Sequence, residues 1–119
     1  DDLTGRIIGA AIEVHRTLGP GLLGSIYEAA LCHEFDFRGI RYPTQVEIDV
    51  VYKGKIIKGQ RIDILVEEEV IVEIKSLTKL PEVSTAQILS YLKATGLKRG
   101  LLINFGAKML REGIKRISL

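Results

Sequence analysis

At 119 residues, with 46% hydrophobic and 27% charged side chains, the chain has the size of one domain and too much apolar content for disorder. No apolar run approaches the ~18 residues of a membrane helix, and no signal-peptide pattern opens the chain, so a cytoplasmic protein is expected; a lone Cys32 excludes an internal disulfide. The formal charge of +2 permits a nucleic-acid partner without arguing for one, and leaves room for dimerisation or a partner protein to complete a groove.

Taken in order, Asp1 to Leu18 carries Ile7, Ile8, Ala11, Ile12 and Leu18 at near-helical spacing, with Asp1, Asp2 or Thr4 available as N-cap, and Gly19-Pro20-Gly21 ends it. His15 lies on this helix one turn before the break, where a lone histidine is more often structural than functional. Ser25 and Glu28 have capping-box spacing, predicting a second helix to about Arg38, stopped by Gly39, with Ile26, Ala30, His33 and Phe37 as its packing stripe. Gln45 to Tyr52 alternates polar and apolar as a half-solvated strand does; Lys53-Gly54 turns the chain, Lys55 to Lys58 returns, and Gly59-Gln60 breaks the return.

The next fifteen residues, Arg61 to Lys75, hold the unusual pattern. Two β-branched runs, Arg61–Val66 and Val70–Lys75, flank an acidic turn at Glu67, Glu68 and Glu69, so they predict a hairpin. If it pivots on Glu68, partners sum to 136, which sets Asp63 opposite Glu73 and Arg61 opposite Lys75. Strand alternation then puts Arg61, Asp63, Glu73 and Lys75 on one face with Leu65 and Ile71, and Ile62, Ile64, Val72 and Ile74 on the other. Two carboxylates facing each other at ~5 Å repel by about 3 kcal/mol at an effective dielectric near 20. Something positive belongs between them: either Arg61 and Lys75, in a plain charge network, or a divalent cation held by oxygen ligands.

Beyond Lys75, Leu77 to Pro81 reads as a loop and Glu82 to Thr95 as a helix ended by Gly96, with Val83 or Ala86, Leu89 or Ser90, and Leu92 or Lys93 on successive turns. Gln87 and Tyr91 are four apart and hence neighbours on one helix face. Gly100 to Asn104 is an apolar strand whose right-handed crossover should make it parallel to the Glu73 strand; a short helix over Lys108 to Glu112 and a strand-like tail from Ile114 follow. There is no zinc-spaced Cys/His cluster, no phosphate-binding GxxxxGK[ST] loop and no dinucleotide-binding glycine turn.

Asp63, nine residues, then Glu73-Ile74-Lys75 resembles the D…ExK core of the PD-(D/E)xK nuclease superfamily, and the order of elements resembles its αβββαβ fold, an α+β mixed sheet flanked by helices. More narrowly, Ala11–His15, Leu18–Leu23, Tyr27-Glu28, Arg61–Asp63, Val72–Lys75, Gln87–Leu92 and Leu101–Gly106 together resemble the small bacterial family named for its GxxExxY motif, over nearly the whole chain as one domain. The naming glutamate is missing: Gly24 stands at its position, with Glu28 one turn further on. Gln87 and Tyr91 resemble the QxxxY element of RecB-like nucleases, which lies beside the scissile phosphate.

The resemblance implies a nuclease dependent on Mg²⁺ or Mn²⁺ and acting on nucleic acid, DNA above all. Asp63, Glu73, the Ile74 carbonyl and Glu28 are the implied metal ligands. Lys75 is the implied partner of the attacking water, with Gln87, Tyr91, Arg61 and His15 on the substrate. Two other functions compete with it. The missing acid and the modest charge also fit a nucleic-acid-binding domain, or a protein-interaction domain, on a nuclease scaffold that has lost turnover.

Overall fold

The computed structural model describes residues 1–119. A five-stranded sheet in the order β1-β2-β3-β4-β5 separates two helices on one face from a third helix on the other. Helices α1 (Asp2–Leu18) and α2 (Gly24–Arg38) precede the strands β1 (Thr44–Tyr52), β2 (Lys55–Val66) and β3 (Val70–Lys75). Helix α3 (Val83–Thr95) crosses back to β4 (Arg99–Asn104), and a 3-10 turn at Leu110–Gly113 leads into β5 (Ile114–Ser118). Strands β3 and β4 are parallel, as the crossover predicts, and every other neighbouring pair is antiparallel.

One core joins α1 and α2 to the sheet through Ile7, Ala11, Tyr27, Leu31, Ile64 and Val72, among others. A second joins α3 through Ile62, Ile71, Ile88, Tyr91 and Leu102. Because β3 and β4 are covered on both faces, their residues are almost continuously buried, which is why their sequences lack polar alternation.

Asp1 caps α1, accepting from the Thr4 N–H at 2.9 Å. The buried stripe of α1 is Ile7, Ala10, Ala11 and Val14, so Ile12 and Leu18, expected inside, are exposed. Helix α2 departs further. It begins at Gly24 with Leu23 as N-cap and no side-chain cap, and it buries Tyr27, Leu31 and Phe35. Of the expected stripe, Ile26, His33 and Phe37 face outward, with Phe37 75% exposed, and only Ala30 packs against the core, half-buried. Tyr27 decides the rotation: its ring stacks on Phe105 at 4.6 Å and its hydroxyl bonds both the Gly19 carbonyl and the Leu22 N–H. On α3 the buried positions are Ser84, Ile88, Tyr91 and Leu92, and Val83 is exposed.

Gly59 does not end a strand. β2 runs unbroken through it, and the β1 partners shift by one residue between Ile48 and Val50, the signature of a bulge that Gly59 accommodates at φ 115°. Beyond that bulge the β1–β2 hairpin leaves the core, and every residue from Asp49 to Arg61 is exposed.

Candidate active site

The β2–β3 pairing has the expected register: Val66 faces Val70, Leu65 faces Ile71 and Ile64 faces Val72. There the ladder stops. One residue further on, the side chains of Asp63 and Glu73 replace it: the Asp63 N–H donates to Glu73 Oε1 at 3.0 Å, and the Ile74 N–H donates to Asp63 Oδ2 at 2.8 Å. Each carboxylate is held by the opposite strand's backbone through one oxygen, and its second oxygen accepts from no backbone N–H.

The same row carries a fault in the sheet. Gln45 stands between Thr44 and Val46, the partners of Ile64 and Ile62, and it holds a left-handed φ of 52°. A non-glycine residue there is strained by about 1–3 kcal/mol, a kind of strain that clusters at functional sites. Alternation slips across this row, so Ile62 packs with α3 while Ile64 packs with α1 and α2, which corrects the expectation that both share one face. At the slip, the Asp63 charge acts on two other acids, Glu73 on β3 and Glu28 on α2.

Neither Asp63 nor Glu73 has a lysine or arginine nitrogen within 4 Å. The plain charge network is therefore absent. Arg61 pairs across the sheet with Glu47 on β1 instead of meeting Lys75, because the β2–β3 ladder has already ended. Glu73 is only 3% exposed, and its burial, followed by the charge of Asp63, pushes its pKa up to about 8. The Asp63 N–H and the nearby Lys75 ammonium oppose that rise without cancelling it. Lys75 makes no ion pair within 4 Å. Glu73 is buried and Asp63 half-buried, and with no lysine or arginine nitrogen within 4 Å their carboxyl oxygens are donors of the kind that suits a divalent cation.

Glu28 is not part of a capping box; its carboxylate accepts from Gln45 Nε2 at 3.3 Å, and burial, then Asp63, raises its pKa. No three acidic, histidine or cysteine side chains converge as a ready metal cage, so Glu28 stands off from the Asp63–Glu73 pair. A side chain on Gly24 would meet nothing within 4 Å. The loop before it is fastened to the site, since the Ser76 hydroxyl, next to Lys75, donates to the Leu22 carbonyl.

Gln87 and Tyr91 meet as the spacing predicts, Gln87 Nε2 donating to the Tyr91 hydroxyl at 2.7 Å. Burial, then the Glu73 charge, raises the Tyr91 pKa, so the charge of the acid pair reaches this hydroxyl. A cleft of ≈ 480 Å³ adjoins it, walled by Ile48, Val50, Val83, Gln87 and Tyr91; Asp63 and Glu73 are not in its walls. His15 is held by the Ala107 carbonyl at 2.8 Å, a tie between α1 and the segment after β4. Cys32 is a half-buried free thiol whose pKa burial pushes up to about 11, as expected of a packing residue.

Sequence reasoning passed over Gln45, Gln60 and Asn104. The Asn104 side chain bonds the backbone of Leu77 in both directions and so fixes the chain leaving Lys75. Gln60 bonds Tyr91. Its only signal was its place beside the Gly59 bulge, two residues from Ile62 on the strand that carries Asp63.

A family model described as the PD-(D/E)XK nuclease superfamily matches residues 1–117. The chain belongs to that superfamily. Its five-stranded sheet with three flanking helices is consistent with the PD-(D/E)XK fold. A solved structure titled "Crystal structure of SSO0001" is similar at 24% identity, with a TM-score of 0.61 over 80% of this chain, and that likeness bears on the fold alone. The chain spans 49% of the length of that structure. No curated protein matches. Members of the superfamily are nucleases that typically use divalent metals.

Proposed function

We propose that the chain is a Mg²⁺- or Mn²⁺-dependent nuclease that hydrolyses phosphodiester bonds, with DNA as the first substrate to test. The observation that carries this reading is the pair Asp63 and Glu73: crossed to each other's backbone, with no lysine or arginine nitrogen within 4 Å, and with a second oxygen on each that accepts from no backbone N–H. Those two oxygens and the Ile74 carbonyl would hold the ion. When bound, it supplies polarisation of the phosphate and a water acidic enough to ionise near neutral pH.

Lys75 follows Glu73 by two residues on the strand and carries an unpaired ammonium, which suits it to orient the attacking water and to balance the charge that grows on the phosphorus oxygens. Gln87 and Tyr91 position the substrate backbone from α3. Glu28 serves as an outer acid, reaching the centre through water, and Arg61 lies exposed where a phosphate can approach. The narrower resemblance to the GxxExxY family belongs to this proposal. Within it, Gly24 leaves Glu28 as the acid that α2 offers nearest to Asp63.

Purified protein with Mn²⁺ or Mg²⁺ should nick DNA or RNA. Asp63→Ala should remove the activity, by a factor of about 10³ or more if the ion is lost with it. Equal cleavage by that variant would end the proposal.

A further inference from the structure

Tyr91 receives two amides. Gln87 Nε2 reaches its hydroxyl oxygen at 2.7 Å from one turn away on α3, and Gln60 Nε2 reaches the same oxygen at 2.5 Å from β2. Gln60 comes to this face because it is two residues from Ile62 and opposite Ile48, both of which are buried in the α3 cluster. A phenol oxygen offers two acceptor positions and one proton. With both positions taken by N–H groups, the proton has to point elsewhere, and the acids that bear on this hydroxyl are Glu73 and Asp63.

We infer that Gln60 is a positioning residue which, with Gln87, fixes Tyr91 as a hydrogen-bond donor directed at the phosphate beside the Asp63–Glu73 pair. This rests on the nuclease reading for the identity of the acceptor, while the contact itself does not. A single glutamine would leave the hydroxyl free to rotate and accept from substrate or water. Two glutamines from different elements remove that freedom before substrate arrives, which is what preorganised stabilisation of a charged transition state requires. Gln60 Oε1 and Gln87 Oε1 have no partner of their own within the chain, so each remains an acceptor on the wall of the adjoining cleft.

The experiment is a double-mutant cycle on cleavage of a labelled oligonucleotide in Mn²⁺, with kcat and KM measured separately. Gln60→Glu keeps the shape but replaces the donor by an acceptor, so that Tyr91 turns its proton onto the new carboxylate. The expected result is a fall in kcat of at least about tenfold for Gln60→Glu, with KM little changed. Tyr91→Phe should lose a similar factor, and the double variant should be no worse than Tyr91→Phe. Wild-type kcat in Gln60→Glu would overturn the inference. The same loss on adding Gln60→Glu to Tyr91→Phe would overturn it too, because the added charge would then be the cause.

A second readout is independent of turnover. In protein labelled with ¹³C at tyrosine Cζ, the resonance absent from Tyr91→Phe should move in Gln60→Leu, with the melting temperature kept within a few degrees. An unmoved resonance overturns the inference whether or not the chain cleaves. A moved resonance in a wild type that fails to cleave keeps the Gln60 assignment and removes the nuclease reading alone.

Discussion

The β2–β3 hairpin carries acids at both ends, and the protein treats them in opposite ways. At the turn, Glu67 is bridged to Arg41 at 3.1 Å and Glu69 to Arg99 at 3.3 Å, while Arg99 also pairs with Asp1. Glu67 accepts the Arg41 N–H and its guanidinium, and these hold its carboxyl below the usual range. At the other end, Asp63 and Glu73 have no such partner, and Glu73 is pushed up to about 8. Glu67 and Glu69 at the turn are paired with arginines of the chain itself. Of the inner acids Glu73 is buried and Asp63 half-buried, and neither has a lysine or arginine nitrogen within 4 Å. Exposed pairs of the first kind contribute little to stability, whereas an uncompensated buried pair is destabilising unless a ligand relieves it.

The largest expected effect follows from relieving that pair by mutation. Glu73→Gln keeps the shape, still accepts from the Asp63 N–H, and removes the repulsion. In metal-free protein at pH 8 it should raise the unfolding midpoint while abolishing Mn²⁺-dependent cleavage, as measured by thermal melts beside a nicking assay. A Glu73→Gln variant less stable than wild type at pH 8 would mean that the pair already has a counter-ion.

The second effect is the pH dependence of the metal-free wild type. Folded Glu73 titrates near 8 against its ordinary 4.5, so between those values the folded state binds the proton more tightly than the unfolded state. Stability is fully present below about 4.5 and is lost as pH rises through 8, a change of a few kcal/mol by linkage, on the order of 1.4 kcal/mol per pH unit. Melting temperature should therefore fall from pH 5 to pH 8, and millimolar Mn²⁺ should reverse the fall at pH 8. A flat profile would contradict the electrostatic contrast between the two ends.

The third prediction breaks the comparison from its other side. Glu67→Gln removes an exposed pair at the turn, and it should leave cleavage unchanged and shift the melting temperature by no more than about 2 °C. The smallest expected effect is that of Gly24→Glu. A Cβ there meets nothing within 4 Å, and an acid in the first turn of α2 suits the helix dipole, so the fold should be kept. Isothermal titration should show Mn²⁺ affinity equal to wild type or tighter by a few fold; weaker binding would place that position away from the centre.

Much of the architecture was legible because it follows from local chemistry. Asp1 before a helical stripe, Gly39 and Gly96 in left-handed backbone after their helices, and the register about Glu68 all hold. What failed were the helix faces. Ile26 and Phe37 are as apolar as Leu31 and Phe35, and only the tertiary fit of Tyr27 on Phe105 selects which stripe turns inward. The site divides the same way. Asp63, Glu73, Lys75, Gln87 and Tyr91 were marked by charges within buried strands and by helix spacing. Gln45 and Gln60 were not, because a left-handed φ and a contact between strand and helix leave no periodic trace. Glu28 gave a false local signal: its spacing from Ser25 fits a capping box, but the N-cap is Leu23, two residues earlier, and its carboxylate turns to Gln45.

The most direct test is calorimetric titration of Mn²⁺ into metal-free protein at pH 7, repeated in buffers of different ionisation enthalpy. Binding at Asp63 and Glu73 should be accompanied by release of about one proton, since Glu73 holds one at this pH, and it should vanish in Asp63→Asn while persisting in Glu67→Gln. No uptake at millimolar Mn²⁺, or uptake that survives Asp63→Asn, would contradict a metal centre at the open end of the hairpin.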